Sequence, residues 1–464
     1  MPTERQPARA RARLGAIGLC IVALLGACGG DDDTEDASGA EATSTTSADA
    51  GSDTTATAAV EPADGTDGSD GGATDLRLAD DPIEMWLPFG DGFAEDVLPL
   101  TEACQDRTGV AIEPVGVEVD YTEMQLKLAV DVLADAGPDI AVQGLNQVIA
   151  MGSADFTVPL DEYVDGSDVL DPADMPFLEV GRIGDEQVIV PWIISVPVVF
   201  VNQDLLTEAG LDPDTVPGTW ADVEEISAAV AASGPDRYGM SFGIQEGYIP
   251  LTYLLSAGGG LIDDELRPAF TDDAAAAAIG HWHDLYQQDL AFPGDQDQSR
   301  EAFEQGKVAM LVWSSSAIDG VAERADFAWT AHPFPAADDS TEVRVPAGGN
   351  GLALLAQEDR RDDAFAVLEC LTSPEIDLMR VELLGNLPTH AANAESLSEQ
   401  FDAPPWSAAW AQADLVDRWY SFPGDDSSRL TRIFTERWIE AAQRSDDPMA
   451  VLEGASDEMS DILG

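Results

Sequence analysis

Three consecutive hydroxyls, Ser314-Ser315-Ser316, follow the apolar run Val308 to Trp313. Serines at the carboxyl end of a strand, just ahead of a helix, are good hydrogen-bond partners for a small polar ligand and equally good helix caps. Trp86, Tyr248 and Trp313 offer flat faces that can pack on the C–H surface of a pyranose ring, while carboxylates and amides take its hydroxyls. Core packing is the competing use of each ring. Pro346-Ala347-Gly348-Gly349-Asn350-Gly351 adds glycines that let backbone approach a ligand closely. This is chemistry for holding a molecule, and no carboxylate pair stands out for hydrolysing one.

Other chemistries lack their residues. His281 and His283 lie two apart and so on different faces of the helix expected there, and no metal-ligand spacing occurs, so neither metal nor cofactor is expected. Gly258-Gly259-Gly260 has no Lys and no Ser or Thr at phosphate-loop spacing and reads as a turn.

The elements that would position these residues alternate. Ile83 to Gly90 is a short strand running into a loop, Gly92 to Thr108 a helix, Val110 to Val119 a strand, Tyr121 to Ala136 a helix, and Ile140 to Val142 a strand. That order predicts an α/β lobe with a largely parallel sheet. Ligands of such sheets bind beyond the carboxyl ends of the strands, which places Trp86, Phe89, Asp91, Gln143 and Asn146 at a cleft. Asp91 could instead cap the following helix. Val196 to Val201 is a β-branched strand followed by Asn202, a cap for the helix holding Leu205 and Leu206, and Thr219 caps a further helix whose first apolar anchor is Trp220.

The 464 residues predict more than one domain. Arg5, Arg9, Arg11 and Arg13 precede an apolar stretch, Leu14 to Leu25, that is short against the roughly 20 residues of a membrane span. Leu25-Gly26-Ala27-Cys28 then resembles the cleavage site of bacterial lipoproteins, with residues 1–27 as leader and Cys28 as the acylated N-terminus. Residues 28–80, rich in Asp, Ser, Thr, Ala and Gly, have too little to bury and predict a flexible acidic tether. The protein is thus expected outside the cell, attached to its membrane by lipid. A net charge of −66, from 88 acidic and 22 basic residues, argues against nucleic acid and anionic lipid surfaces as partners and disfavours a multiply anionic ligand. Cys104 and Cys370 remain, as a disulfide or as two buried thiols.

From Ile83 to Leu463 the chain resembles the extracellular solute-binding proteins of ABC importers, in the sugar-binding family that includes maltose-binding and glycerol-3-phosphate-binding proteins. The resemblance lies in Val198-Val199-Phe200-Val201-Asn202-Gln203-Asp204-Leu205-Leu206, Thr219-Trp220, Phe303-Glu304-Gln305-Gly306-Lys307-Val308-Ala309-Met310, Gly348-Gly349, Thr372-Ser373-Pro374-Glu375 and Gly385-Asn386-Leu387-Pro388-Thr389, in that order. It implies a two-lobe, type II periplasmic-binding-protein-like fold, with a hinge crossed near Ser195 to Pro197, near Val345 and after Pro388. The lobes would be residues 81–195 with 346–392, and 196–345 with 393–464. It also implies a monomeric, non-enzymatic subunit that holds a sugar or polyol between the lobes and passes it to a permease. The positions implied at ligand are Trp86, Ser195, Tyr248, Ser315 and Gly349, joined by their neighbours Trp192, Trp313, Ser314 and Asn350. Binding of glycerol 3-phosphate or a glycerophosphodiester is the nearest alternative, yet Arg418 and Arg429 lie in the right region without a matching motif. An extracellular glycoside hydrolase and a solute sensor are the others.

Overall fold

The apolar runs of the sequence are strands of two separate sheets. The computed structural model describes residues 76–153, 157–243, 247–397, 404–419, 421–424 and 426–464. The leader, Cys28 and nearly all of the tether lie outside the described residues. The tether expected through residue 80 ends earlier: Arg77 donates its amide to Gly109 and bridges to Val110.

The first sheet has the order β2-β1-β3-β12-β6, from β1 (Ile83–Leu87), β2 (Ile112–Gly116), β3 (Ile140–Gly144), β6 (Val190–Ser195) and β12 (Gly348–Leu354). β1 runs parallel to β2 and β3, and β12 runs antiparallel to both β3 and β6, so parallel pairing stops at β3. Between them a two-residue pair, β4 (Arg182–Ile183) and β5 (Glu186–Gln187), forms a small hairpin. The second sheet has the order β10-β7-β9-β8, from β7 (Pro197–Asn202), β8 (Tyr238–Phe242), β9 (Val308–Ser314) and β10 (Trp329–Pro333). β11 (Val345–Pro346) pairs with β13 (Val416–Asp417).

β6 and β7 are buried at every position, which is why Val190 to Asn202 reads as one apolar run. It serves two sheets. The chain leaves the first after Ser195 and joins the second at Pro197, returns between Pro346 and Gly348, and touches the junction again where Leu387 donates to the Ile194 carbonyl at 3.0 Å.

Local chemistry fixes the helices. Asn202 accepts from Leu205 N at 3.0 Å. Thr219 and Asp222 form a reciprocal capping box that starts the helix Trp220–Ser233. Pro374 opens the helix Pro374–Leu384, and Gly385 in the left-handed region ends it.

The core of the first lobe gathers Leu100, Trp192, Leu352 and Val367. It is crosslinked by Cys104–Cys370, 266 residues apart, which joins the helix Asp91–Thr108 to the helix Arg361–Leu371. The second lobe packs Phe200, Phe242, Tyr253 and Trp282, with Trp438 of the helix Ser427–Arg444 set edge-on to Trp282 at 5.9 Å. Among the described residues no helix is long and apolar enough to cross a membrane.

Candidate functional site

Strand ends of both lobes meet at a cleft of about 280 Å³. On one side stands Phe89, from the turn after β1, with φ of 64° and 49 % of its surface exposed. Its ring sits edge-on to Tyr121, 4.9 Å between centroids. Tyr121 opens the helix Tyr121–Asp131, which Asp120 caps by accepting from Glu123 N at 2.8 Å. Facing this wall is a second aromatic pair, Tyr248 and Trp419, at 4.7 Å.

Hydroxyls and amides complete the cleft. Ser314 donates to Ser195 Oγ at 2.9 Å and shares a hydrogen bond of 2.9 Å with Ser316. Tyr248 donates to the Pro346 carbonyl at 3.3 Å. Burial pushes its phenol well above the ordinary tyrosine range, against the opposing pull of hydrogen bonds from Gly348 and Ser195, so it stays a neutral donor. Asn350 donates to Tyr121 Oη at 3.1 Å, and Asn386 to the Leu384 carbonyl at 3.0 Å. In both asparagines the amide oxygen is buried without a protein partner.

The glycines are spatially required. Gly349 has φ of 102°, and a Cβ there would overlap the Ile193 carbonyl oxygen. A Cβ on Gly348 would press on Ser195 Oγ and Tyr248 Oη, each 2.7 Å away.

Of the thirteen residues expected at the ligand, six line this cleft: Phe89, Ser195, Tyr248, Ser314, Gly349 and Asn350. The others are placed elsewhere. Trp86 is buried under the helix Tyr121–Asp131 with Met124 and Leu128, donates to Glu84 and carries Lys127 Nζ 4.3 Å from its ring centre. Trp192 belongs to the core of the first lobe and donates to the Leu371 carbonyl at 3.1 Å. Trp313 packs in the second lobe's core, its ring against Gly243. Ser315 is a junction brace: its Oγ accepts from Val196 N at 3.1 Å, and its own N–H donates to the Val196 carbonyl at 2.8 Å. Asp91 is the first residue of its helix, capped by Gly90, and faces a separate exposed depression. Gln143 and Asn146 are buried at the end of β3, outside the cleft lining.

Sequence reasoning missed Phe93, Tyr121, Ile193, Ser316, Gly348, Leu384, Asn386 and Trp419 as lining residues. Gly348 and Asn386 stood in plain view within the family phrases, and Ser316 within the serine turn. Tyr121 and Trp419 gave no local cue, because only tertiary folding turns them toward the cleft.

None of the fourteen lining residues carries a charge at neutral pH. Arg182 and Arg418 line a different cavity, of about 100 Å³, which shares Trp419. Arg429 is exposed and lies 3.6 Å from Asp426. Among the described residues no group of three or more His, Cys, Asp or Glu is arranged to hold a metal ion.

A family model described as bacterial extracellular solute-binding protein matches residues 92–377. The sn-glycerol-3-phosphate-binding periplasmic protein UgpB of Escherichia coli K12 is 26 % identical over 223 residues, covering 45 % of this chain and 50 % of that protein. The chain thus spans about half the length of the curated relatives it matches. The fold is similar to UgpB from Mycobacterium tuberculosis in complex with glycerophosphocholine, with a TM-score of 0.71, 21 % identity and coverage of 82 % of this chain and 98 % of that one. It is similar also to a Thermotoga lettingae ABC transporter solute-binding protein bound with α-D-tagatose, at TM-score 0.69, 18 % identity and coverage of 82 % and 100 %. The GacH receptor of Streptomyces glaucescens, solved with acarbose, gives 0.69, 22 %, 82 % and 98 %.

Proposed function

The chain belongs to the bacterial extracellular solute-binding proteins, and from that premise we propose that it holds a neutral, polyhydroxylated solute of the carbohydrate class in the interlobe cleft and delivers it to the transmembrane subunits of an ABC importer. The observation that carries this reading is the cleft lining: two facing aromatic pairs, three serine hydroxyls and two amides, with no charged side chain among them. Ring faces take the C–H surfaces of a sugar, and the hydroxyls and amides take its OH groups. At about 280 Å³ the space suits one or two sugar rings. Relatives named for glycerol 3-phosphate and a fold neighbour holding glycerophosphocholine make phosphate-bearing solutes the alternative, against which stands a lining with no cation among its described residues. Binding without turnover is part of this proposal, in keeping with a family of solute-binding proteins. Acylation at Cys28 would hold the protein at the outer face of the membrane on its acidic tether.

Thermal-shift and calorimetric titration with D-glucose, D-tagatose, maltose, acarbose, sn-glycerol 3-phosphate and glycerophosphocholine tests this. A neutral sugar is expected to raise the melting temperature, since a ligand at about 100 times its Kd adds about 2.7 kcal/mol. A shift from the phosphate compounds alone would reject the neutral-solute reading, and cleavage of a chromogenic glycoside would reject the binding role.

A further inference from the structure

A second space between the lobes shares no lining residue with the solute cleft. It is a cavity of about 470 Å³, lined by Pro176 and Phe177 of the first lobe, by Trp410 and Asp414 of the second, and by residues of the segment Pro388 to Glu395. The chain that returns to the junction divides the two spaces: Asn386 lines the cleft, Leu387 is fully buried and donates to the Ile194 carbonyl at 3.0 Å, and Pro388 lines the cavity. Buried polar bonds hold the walls in place. His390 has Nδ1 2.7 Å from Asp174 and Nε2 2.7 Å from the Thr372 carbonyl. Asn393 donates to the Pro374 carbonyl and to Asp377, each at 2.7 Å. On the second lobe, Gln412 stands in sequence between Trp410 and Asp414; fully buried, it donates to the Pro197 carbonyl at 2.9 Å and accepts from Phe334 N at 3.0 Å. The cavity is therefore preformed.

Its surface differs in kind from that of the cleft. The rings of Phe177 and Trp410, Pro176 and Pro388, and three alanines make it largely apolar, and both ring nitrogens of His390 are already engaged. What remains are the carboxylates of Glu395 and Asp414, both exposed, with no ion-pair partner among the described residues and no Lys or Arg in the lining. A sugar finds too few donors and acceptors here, and an anion is repelled. A molecule with an apolar body and a positive charge fits: the rings and proline faces take the body, while Trp410 and the carboxylates attract the charge. We propose that this cavity is an effector site for a small hydrophobic organic cation of the aromatic or alkyl ammonium class. A quaternary ammonium suits it best, because it brings no N–H groups that apolar walls would leave unsatisfied. Since the walls come from both lobes, an occupant that prefers one setting of the lobes alters solute affinity, and the solute alters the occupant's by the same factor. The site goes beyond the solute-binding reading and holds whichever solute fills the cleft.

The probe is benzyltrimethylammonium, titrated calorimetrically into the full chain in about 0.15 M NaCl, with tetramethylammonium as the charge-only control and benzyl alcohol as the ring-only control. It is expected to bind about tenfold or more tightly than either control. Glu395→Gln combined with Asp414→Asn, both at the surface, is expected to melt no lower than wild type and to bind the probe about fivefold or more weakly. Glu453→Gln combined with Asp457→Asn removes two exposed carboxylates from another helix and should leave probe affinity within about twofold. At saturating probe, the Kd of whichever compound of the solute panel binds most tightly is expected to change by about threefold or more. Probe affinity no better than that of tetramethylammonium, or weakened equally by both pairs of substitutions, would make the attraction a property of the −66 net charge and overturn the site. Probe binding that leaves the solute Kd unchanged would overturn the effector role. A chain that binds the probe and none of the solutes would overturn the proposed function above but not this site.

Discussion

Tyr248 and Tyr253 lie on one helix, Tyr248–Ser256, whose nine residues are all buried. One lines the cleft; the other is enclosed by Trp220, Phe242, Trp282 and Phe334. A helix buried all round has no polar face to give its orientation away, so periodicity could not tell that Tyr248 and not Tyr253 is the one at the cleft. Burial holds the Tyr253 phenol well above its ordinary value, with the nearby Tyr286 adding to the shift, and burial pushes Tyr286 itself up to about 12. Because the folded values lie above the unfolded value of about 10, this contribution to stability is complete below pH ~10 and is lost as pH rises through the folded values. The Tyr253 hydroxyl has no protein partner. Tyr253→Phe therefore keeps the ring packing, should change stability at pH 7 by no more than about 1 kcal/mol, and should delay the alkaline loss in urea melts between pH 8 and 12. An alkaline profile identical to wild type would assign the loss to Tyr248 and Tyr286 alone.

Elements with strong local punctuation were readable in advance. The helices Arg361–Leu371 and Pro374–Leu384 follow from Pro374 at the start and Gly385 at the end of the second, and Thr219 announces its capping box. The passage from β6 to β7 shows where such reading stops: every side chain is apolar or buried, so the change of sheet at Val196 hides inside one run, and only the resemblance pointed to it. Trp86 and Trp192 were misplaced for a related reason, since in a strand covered on both faces an aromatic gives no sign of which layer it joins. The segment that returns to this junction is held by a buried ion pair. Asp377 accepts from Arg380 at 2.6 Å, from Thr389 N at 3.0 Å and Oγ1 at 2.9 Å, and from Asn393 at 2.7 Å, while Arg380 also donates to the Leu387 carbonyl at 2.8 Å. Burial alone would raise the Asp377 carboxyl; the Arg380 charge and the bonds from Thr389, Arg380 and Asn393 outweigh it and hold it below the usual range. Its stabilising effect is accordingly present above pH ~4 and is lost as pH falls through the lower folded value. Asp377→Asn leaves the fully buried guanidinium without a counter-charge and should cost about 3–5 kcal/mol, read from the urea midpoint at pH 7. A loss under 1 kcal/mol would mean that Arg380 finds another acceptor.

For the whole molecule, 88 carboxylates against 22 basic residues leave most acidic groups without a cationic partner, and the ion pairs that form are mostly at the surface. Self-repulsion at −66 opposes the compact state and reaches further when salt is scarce, over about 30 Å at 0.01 M against about 3 Å at 1 M. The same field acts on any solute that approaches the cleft, and this separates the two classes of solute without a structure of the complex. A phosphate-bearing anion would be repelled at low ionic strength, so its affinity should rise steeply between about 10 mM and 1 M NaCl. A neutral sugar feels no such field, and the cleft that would receive it has no charged side chain among its described lining residues. Calorimetric titrations across that range should therefore give a nearly constant Kd for the sugar, within about twofold, even as the melting temperature of the free protein climbs by several degrees. An affinity that strengthens tenfold or more with salt would identify the solute as an anion, and recognition would then have to involve a cation outside the lining, with Arg418, which shares Trp419 with the cleft, the first residue to replace.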